Sequence, residues 1–277
     1  MKHLHIITNE FKDGSCLNYS PRNFNWIFNQ YPSSGPVVYF NGAINIGLND
    51  AYKGPKYGWL GESSELSVNL MNELTPIIAV LKQKFIKIFV NDYRLIELDK
   101  KLFCYNPPAS NLPWIINPAL YDKTKLCSYI TSFKGYTTGH KIRLSVYNQI
   151  KNHPMFKDNI FGKPHNPIEN KITGLRDYMF SIVIENAKYP KYYTEKVTDC
   201  FATGTIPLYY GDKSICEDFD EDGIIFIDEK LDLNLLSKEL YESKIKSVEA
   251  NFVKLLQLNT ADDCIFESIN NDKAKYQ

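Results

Sequence analysis

The sequence predicts an α/β protein built as two Rossmann-like domains with a cleft between them. Three observations carry this. Strand-like runs alternate with helix-like stretches along the chain, the pattern of parallel α/β sheets. The run Met-Phe-Ser-Ile-Val-Ile at 179–184 is apolar almost throughout, as in a strand covered on both faces. The stretch 106–113, Asn-Pro-Pro-Ala-Ser-Asn-Leu-Pro, cannot continue a helix or a central strand and reads as the core of a linker over 104–118. The expected domains are 1–115 and 116–277.

In the first half, residues 3–8, 36–40, 57–60 and 85–90 read as strands, and 64–83 as a helix. In the second half, 126–131 reads as a strand, 142–151 as a helix and 179–184 as a strand. Residues 194–203 read as a helix with Val197, Cys200 and Phe201 on one face and Gly204 as its stop. Strands follow at 205–210 and 224–227, then a long amphipathic helix at 235–256. Two such halves joined by a proline-rich linker fit the GT-B arrangement, in which a ligand lies between two nucleotide-fold domains.

Bulk composition removes several classes. The chain has 277 residues, 44% hydrophobic, enough for real cores. Lys plus Arg and Asp plus Glu both total 32, so no global field favours nucleic acid and no block reads as a polybasic membrane patch. The six cysteines, at 16, 104, 127, 200, 216 and 264, show no C-x-x-C spacing and sit partly in apolar runs. They read as buried free thiols of a reducing compartment. The N-terminus reads as a first strand, not a signal peptide, and no apolar run approaches the ~20 residues that span a bilayer. The expected setting is cytoplasmic, with at most peripheral membrane contact.

The chemistry concentrates at 175–211. A buried strand ending at Ile184 delivers Glu185 and Asn186 to the carboxyl edge of a sheet, where α/β proteins bind ligands. Thr194 then caps a helix whose first turn holds Glu195 and Lys196. Free N–H groups and the helix dipole make that end an anion site, and Lys196 adds a full charge. Tyr192, just before the cap, is placed to stack on a base. The same residues also read as a capped helix with a solvated Glu-Lys pair.

The order Leu-x-x-Tyr-x-Phe-Ser-x-x-x-Glu-Asn, then Tyr-x-Thr-Glu-Lys, then Gly-Thr-Ile-Pro-x-Tyr-x-Gly resembles the C-terminal signature of glycosyltransferase family 10, the α1,3/4-fucosyltransferases. The resemblance implies an inverting GT-B enzyme that uses GDP-fucose and needs no metal or other cofactor. It makes 116–277 the nucleotide-sugar domain and 1–115 the acceptor side. It places Tyr192 against guanine, Glu195 on the ribose hydroxyls, Lys196 on the diphosphate, and Glu185 and Asn186 towards the donor sugar. Arg143, in Thr-Gly-His-Lys-Ile-Arg-Leu, corresponds to a phosphate-binding arginine that opens an upstream helix. A bidentate guanidinium suits a pyrophosphate.

The first half matches the family weakly. Trp-Leu-Gly-Glu-Ser at 59–63 resembles a segment whose glutamate is the general base, which falls on Glu62, with Glu65 as its rival. The attacking hydroxyl must lose its proton, so a carboxylate within hydrogen-bond reach is required. Asp92 and Tyr93 resemble a later Asp-Tyr pair. The chain departs from the family at Ala187, where a serine is usual, and in being shorter and without a membrane anchor.

Residues 218–229 satisfy the EF-hand loop spacing, and Asp218-Phe219-Asp220 mimics an Asp-x-Asp metal motif. The apolar run 224–227 argues for a strand there instead. His140, His153 and His165 are too loosely spaced for a metal site, and His3 and His5 share a strand face. The expected function is fucosyl transfer from GDP-fucose to a glycan hydroxyl. The alternatives are a GT-B transferase using another nucleotide sugar, or a non-catalytic nucleotide- or glycan-binding module.

Overall fold

The computed structural model describes residues 3–10, 21–163 and 165–274. The chain divides into two compact units, Met1–Asn111 with Asn259–Gln277, and Leu112–Leu258.

The first unit contains strands β1 (His3–Ile7), β2 (Asn25–Phe28), β3 (Val37–Phe40), β4 (Lys56–Leu60), β5 (Lys87–Val90) and β6 (Phe103–Tyr105). Helices α1 (Ile44–Asn49), α2 (Val68–Leu74), α3 (Ile78–Lys84) and α4 (Tyr93–Leu98) connect them. All six strands are parallel, in the order β2-β1-β3-β4-β5-β6. The four expected strands are present. Edge strands β2 and β6 were not foreseen, and β6 occupies the start of the expected linker. The helix expected at 64–83 is broken by a 3-10 turn at Thr75–Ile77. Pro76 sits there, with no N–H to donate and a ring that crowds the preceding turn.

The second unit contains β7 (Lys125–Ile130), α5 (Thr138–Ile150), β8 (Ile160–Phe161), β9 (Tyr178–Ile184), α6 (Glu195–Thr203), β10 (Ile206–Tyr210), β11 (Ile225–Phe226), α7 (Lys238–Ser243) and α8 (Ile245–Leu256). Its strands are also all parallel, ordered β11-β10-β9-β7-β8. All seven residues of β9 are buried, as its apolar run predicts. One core, around Cys127, Ile142, Val146 and Phe180, lies on the α5 side of the sheet. Another, around Val183, Val197, Cys200 and Phe201, lies on the α6 side. Gly204 ends α6 in the left-handed conformation, φ 72°, where a side chain would be strained.

The long helix expected at 235–256 is two helices that meet at Lys244. The bend lets Tyr241 donate to the Gly204 carbonyl at 2.8 Å while the Lys244 ammonium reaches the Asp222 carbonyl at 2.8 Å.

The last helix, α9 (Ala261–Ala274), packs into the first unit, so the second unit ends at Leu258 and not at the expected 277. Ala261, Ile265 and Ile269, four residues apart, are fully buried beside Leu4, Phe24 and Trp59. The boundary lies at 111/112 instead of 115/116. Residues 114 and 115 are held by α6, because Asp199 accepts both backbone N–H groups, at 2.5 and 3.2 Å. Among the described residues no helix is long and apolar enough to cross a membrane. The five described cysteines are free thiols, and Cys16 lies outside the described residues.

Candidate functional site

In the second unit the strand order reverses direction between β7 and β9. Helices leave these two strands to opposite faces, so a crevice forms outside their carboxyl ends, the switch point where open α/β sheets bind ligands. Both helices begin at the same place. At α5, Gly139 donates its N–H to the Asn186 carbonyl at 3.1 Å. A Cβ on Gly139 would lie 1.8 Å from the Glu185 carbonyl oxygen, so only glycine allows this approach. His140 and Thr137 cap α5 reciprocally, each bond 3.2 Å, which gives His140 a structural role. One turn on, the buried Arg143 guanidinium donates to the Ile184 carbonyl from Nε (3.0 Å) and Nη2 (2.7 Å), and to Asn186 Oδ1 at 2.6 Å.

At α6, Thr194 is the N-cap, as its position in the sequence predicts. Its backbone N–H and its hydroxyl each donate to Glu185 at 2.8 Å. The Lys196 ammonium donates to Thr194 Oγ1 at 2.9 Å and stands 3.4 Å from Glu195 and 3.5 Å from Glu185. Glu195 is also paired with Lys171 at 3.2 Å, and Lys171 with Asp199 at 2.9 Å. Burial works against the Glu195 charge, but Lys196 and Lys171 outweigh it and pull the carboxyl down to about 2. Burial raises Asp199 to about 6 despite the same lysine. Two helix starts, a guanidinium and an ammonium thus converge on the end of one strand. Helix N-termini and fixed cations together suit an anion.

All seven donor-side residues predicted from the sequence lie in this unit, two of them buried against neighbouring residues. Glu185 is fully buried and turned to the start of α6. A buried carboxylate needs donors, and the Thr194 N–H and O–H supply them. Tyr192 is 3% exposed, its ring tilted against Tyr189 at 4.7 Å with Ala187 beside both. The residue that replaces the usual serine therefore presents a methyl to two aromatic rings. Sequence reading missed Gly139, Lys171 and Asp199. A glycine four residues ahead of the arginine was the available signal for the first; the two ionic residues carry no motif.

Glu62 lies in the first unit, exposed, just past the carboxyl end of β4. The backbone around it is fixed by two asparagines. Asn41 Oδ1 accepts from the Gly61 N–H at 2.9 Å, and Asn91 Nδ2 donates to the Gly61 and Glu62 carbonyls, both at 3.1 Å. Asp92 caps α4 and binds the Arg94 side chain, so its carboxylate is already committed.

The segment with EF-hand spacing is no helix-loop-helix. It forms 3-10 turns at Lys213–Glu217 and Glu221–Gly223, followed by β11. Asp218 accepts from the Tyr193 hydroxyl, and Asp220 caps the second turn. A cavity of about 950 Å³ opens nearby at the ends of β10 and β11, with Leu208, Ile225 and Leu236 in its walls and Lys188 and Lys244 at its rim. None of the predicted site residues lines it.

Two all-parallel α/β units, the second with a switch point suited to an anion, have the layout of the GT-B fold. Residues 120–251 match the C-terminal model of glycosyltransferase family 10 (fucosyltransferase), so the signature resemblance is a family match over that segment. An alpha-(1,3)-fucosyltransferase (FucT) of Helicobacter pylori is 27% identical over 135 residues, 47% of this chain and 27% of that protein's length. A solved α1,3-fucosyltransferase covers 93% of this chain and 81% of its own, with TM-score 0.51 and 16% identity. Structures of an α1,3-fucosyltransferase with GDP-fucose and with GDP cover 93% of this chain and 82% of theirs, with TM-scores 0.50 and 0.51, both at 14% identity. At these identities the structures speak for the fold.

Proposed function

We propose that the chain is an inverting fucosyltransferase that moves L-fucose from GDP-fucose to a hydroxyl of a glycan. The observation that carries this is the convergence of α5, α6, Arg143 and Lys196 on the Glu185–Asn186 peptide, within the segment that matches the family. The α1,3-fucosyltransferase of similar fold with GDP-fucose bound supports the choice of donor.

In this reading the diphosphate sits at the switch point. Three Arg143 N–H groups are used by Ile184 and Asn186, and the remaining pair on Nη1 serves a phosphate oxygen. Lys196 and the two helix starts face the charge that develops as the GDP leaves. Glu195, held ionised, accepts from the ribose hydroxyls. Tyr192 stacks on guanine only after its ring leaves Tyr189. The acceptor oxygen attacks the anomeric carbon from the face opposite the diphosphate, its proton passes to Glu62, and the carbon–oxygen bond to GDP breaks. The cationic work is done by protein groups, so activity is expected to survive a chelator.

The test is the melting temperature of the chain with GDP, GDP-fucose, UDP, CDP and calcium, each alone, since a ligand of the folded state raises it. A selective rise with GDP and GDP-fucose supports the reading. No rise with either guanine nucleotide overturns it.

A further inference from the structure

We infer that Lys171 is a positioning residue of this site, which sets the Glu195 carboxylate for a ribose and keeps it paired when Lys196 turns to a diphosphate. The inference rests on the nucleoside-diphosphate reading above.

Lys196 has three oxygens around its ammonium: Thr194 Oγ1 at 2.9 Å, Glu195 Oε1 at 3.4 Å and Glu185 Oε2 at 3.5 Å. To serve a phosphate it must leave two buried carboxylates. A buried charge stripped of its partner is costly, so each acid needs a second one. Glu185 has the Thr194 N–H and hydroxyl, each at 2.8 Å. Glu195 has Lys171, at 3.2 Å from the same Oε1 that Lys196 approaches. Each acid therefore keeps a partner when Lys196 leaves.

Lys171 is itself held in place. It begins a 3-10 turn capped by Asn170, pairs with Asp199 at 2.9 Å, and lies 4.0 Å from the centre of the Trp114 ring. Asp199 in turn accepts the backbone N–H groups of Trp114 and Ile115. The ammonium is thus fixed between two acids on α6, one turn apart, of which Glu195 is the nearer to the helix start. A carboxylate gripped this way presents its second oxygen in one direction, as recognition of a vicinal diol requires.

The test compares the affinities of the chain for GDP and for 2′,3′-dideoxy-GDP, by titration calorimetry. Wild type is expected to prefer GDP by about tenfold, the worth of one hydrogen bond to a charged acceptor. Lys171→Met is expected to bring that ratio to within about twofold of unity, whatever happens to affinity overall. Lys171→Arg is expected to keep it. Should the methionine variant fail to fold, Lys171→Gln carries the same expectation. A ratio unchanged in the uncharged variant, even with both affinities lowered, reduces Lys171 to a structural role and overturns the inference. So does a wild-type chain that binds both nucleotides equally, which leaves GDP binding standing. A wild-type chain that binds neither overturns the nucleotide reading together with this one.

Discussion

Glu185 accepts two hydrogen bonds from Thr194, one from the backbone N–H and one from the hydroxyl, each 2.8 Å long. This pair ties the end of β9 to the start of α6, and the Lys196 ammonium stands over it at 3.5 Å. Glu185 therefore builds the site before it can touch any ligand. Glu185→Ala removes the acceptor of two buried donors and is expected to cost about 2–4 kcal/mol of unfolding free energy. Glu185→Gln keeps one good acceptor and is expected to cost about half as much. Urea unfolding of both variants measures this; an alanine variant as stable as wild type would detach Glu185 from the scaffold.

Gly139 carries the matching constraint on α5. A Cβ there would lie 1.8 Å from the Glu185 carbonyl, and the obstacle is backbone, which cannot rotate away. Gly139→Ala is expected to destabilise the chain by about 3 kcal/mol or more, or to prevent folding. Gly135 lies in the loop leading to α5, with nothing within 4 Å of its Cβ position. Gly135→Ala is the control, expected within about 0.5 kcal/mol of wild type. Equal stability of the two variants would contradict the close approach.

How far the sequence showed this site depends on which force placed each residue. Apolar continuity made β9 readable from 179–184, and a cap, an apolar face and a terminal glycine made α6 readable to the residue. Each of these is a local rule. The burial of Glu185 and Tyr192 was not legible, because it depends on partners that no periodicity rule supplies: Thr194 for one, Tyr189 for the other. The α2/α3 break at Pro76 is legible in the sequence, since proline has no N–H to donate within a helix. The α7/α8 break was not, since nothing at Lys244 forbids a helix and the bend comes from tertiary contacts to Gly204 and Asp222. The return of α9 to the first unit rests on a stripe of three small or branched residues, Ala261, Ile265 and Ile269, too short to announce a partner.

Within the first unit, Asp262 sets a pH dependence. Burial raises its carboxyl to about 6, and the Trp26 indole N–H, 2.6 Å away, lowers it only in part. A folded-state value above the unfolded value of 3.8 means that the native state holds the proton more tightly. The associated stability is full below pH ~4 and is lost as pH rises through ~6. Glu195 acts in the opposite sense. Its value is depressed from 4.5 to about 2, so its contribution is present above pH ~4.5 and lost towards pH ~2. Asp262→Asn keeps an acceptor for the indole and carries no charge. It is expected to be more stable than wild type at pH 7, by roughly 1–3 kcal/mol, and to lose that advantage at pH 4. Thermal melts at the two pH values decide; an advantage of equal size at both would assign the gain to something other than titration.

Lys196 separates binding chemistry from folding. Its side chain is 22% exposed and both neighbouring acids hold other partners, so Lys196→Ala is expected to change stability by about 1 kcal/mol or less. The charge on a leaving diphosphate has no such alternative. The variant is expected to lose 10²–10³-fold, roughly, in kcat/KM with GDP-fucose, the scale seen when one preorganised donor is removed from a developing anion. The thermal shift caused by GDP should shrink with it. Glu62→Gln supplies the contrast: as a base it should lower kcat about 10²–10⁴-fold while leaving the GDP shift intact. A Lys196 variant with an unaltered rate removes it from the mechanism. A Glu62→Gln variant with an unaltered rate moves the base elsewhere on the carboxyl edge of the first sheet, with Glu65 next to be tested.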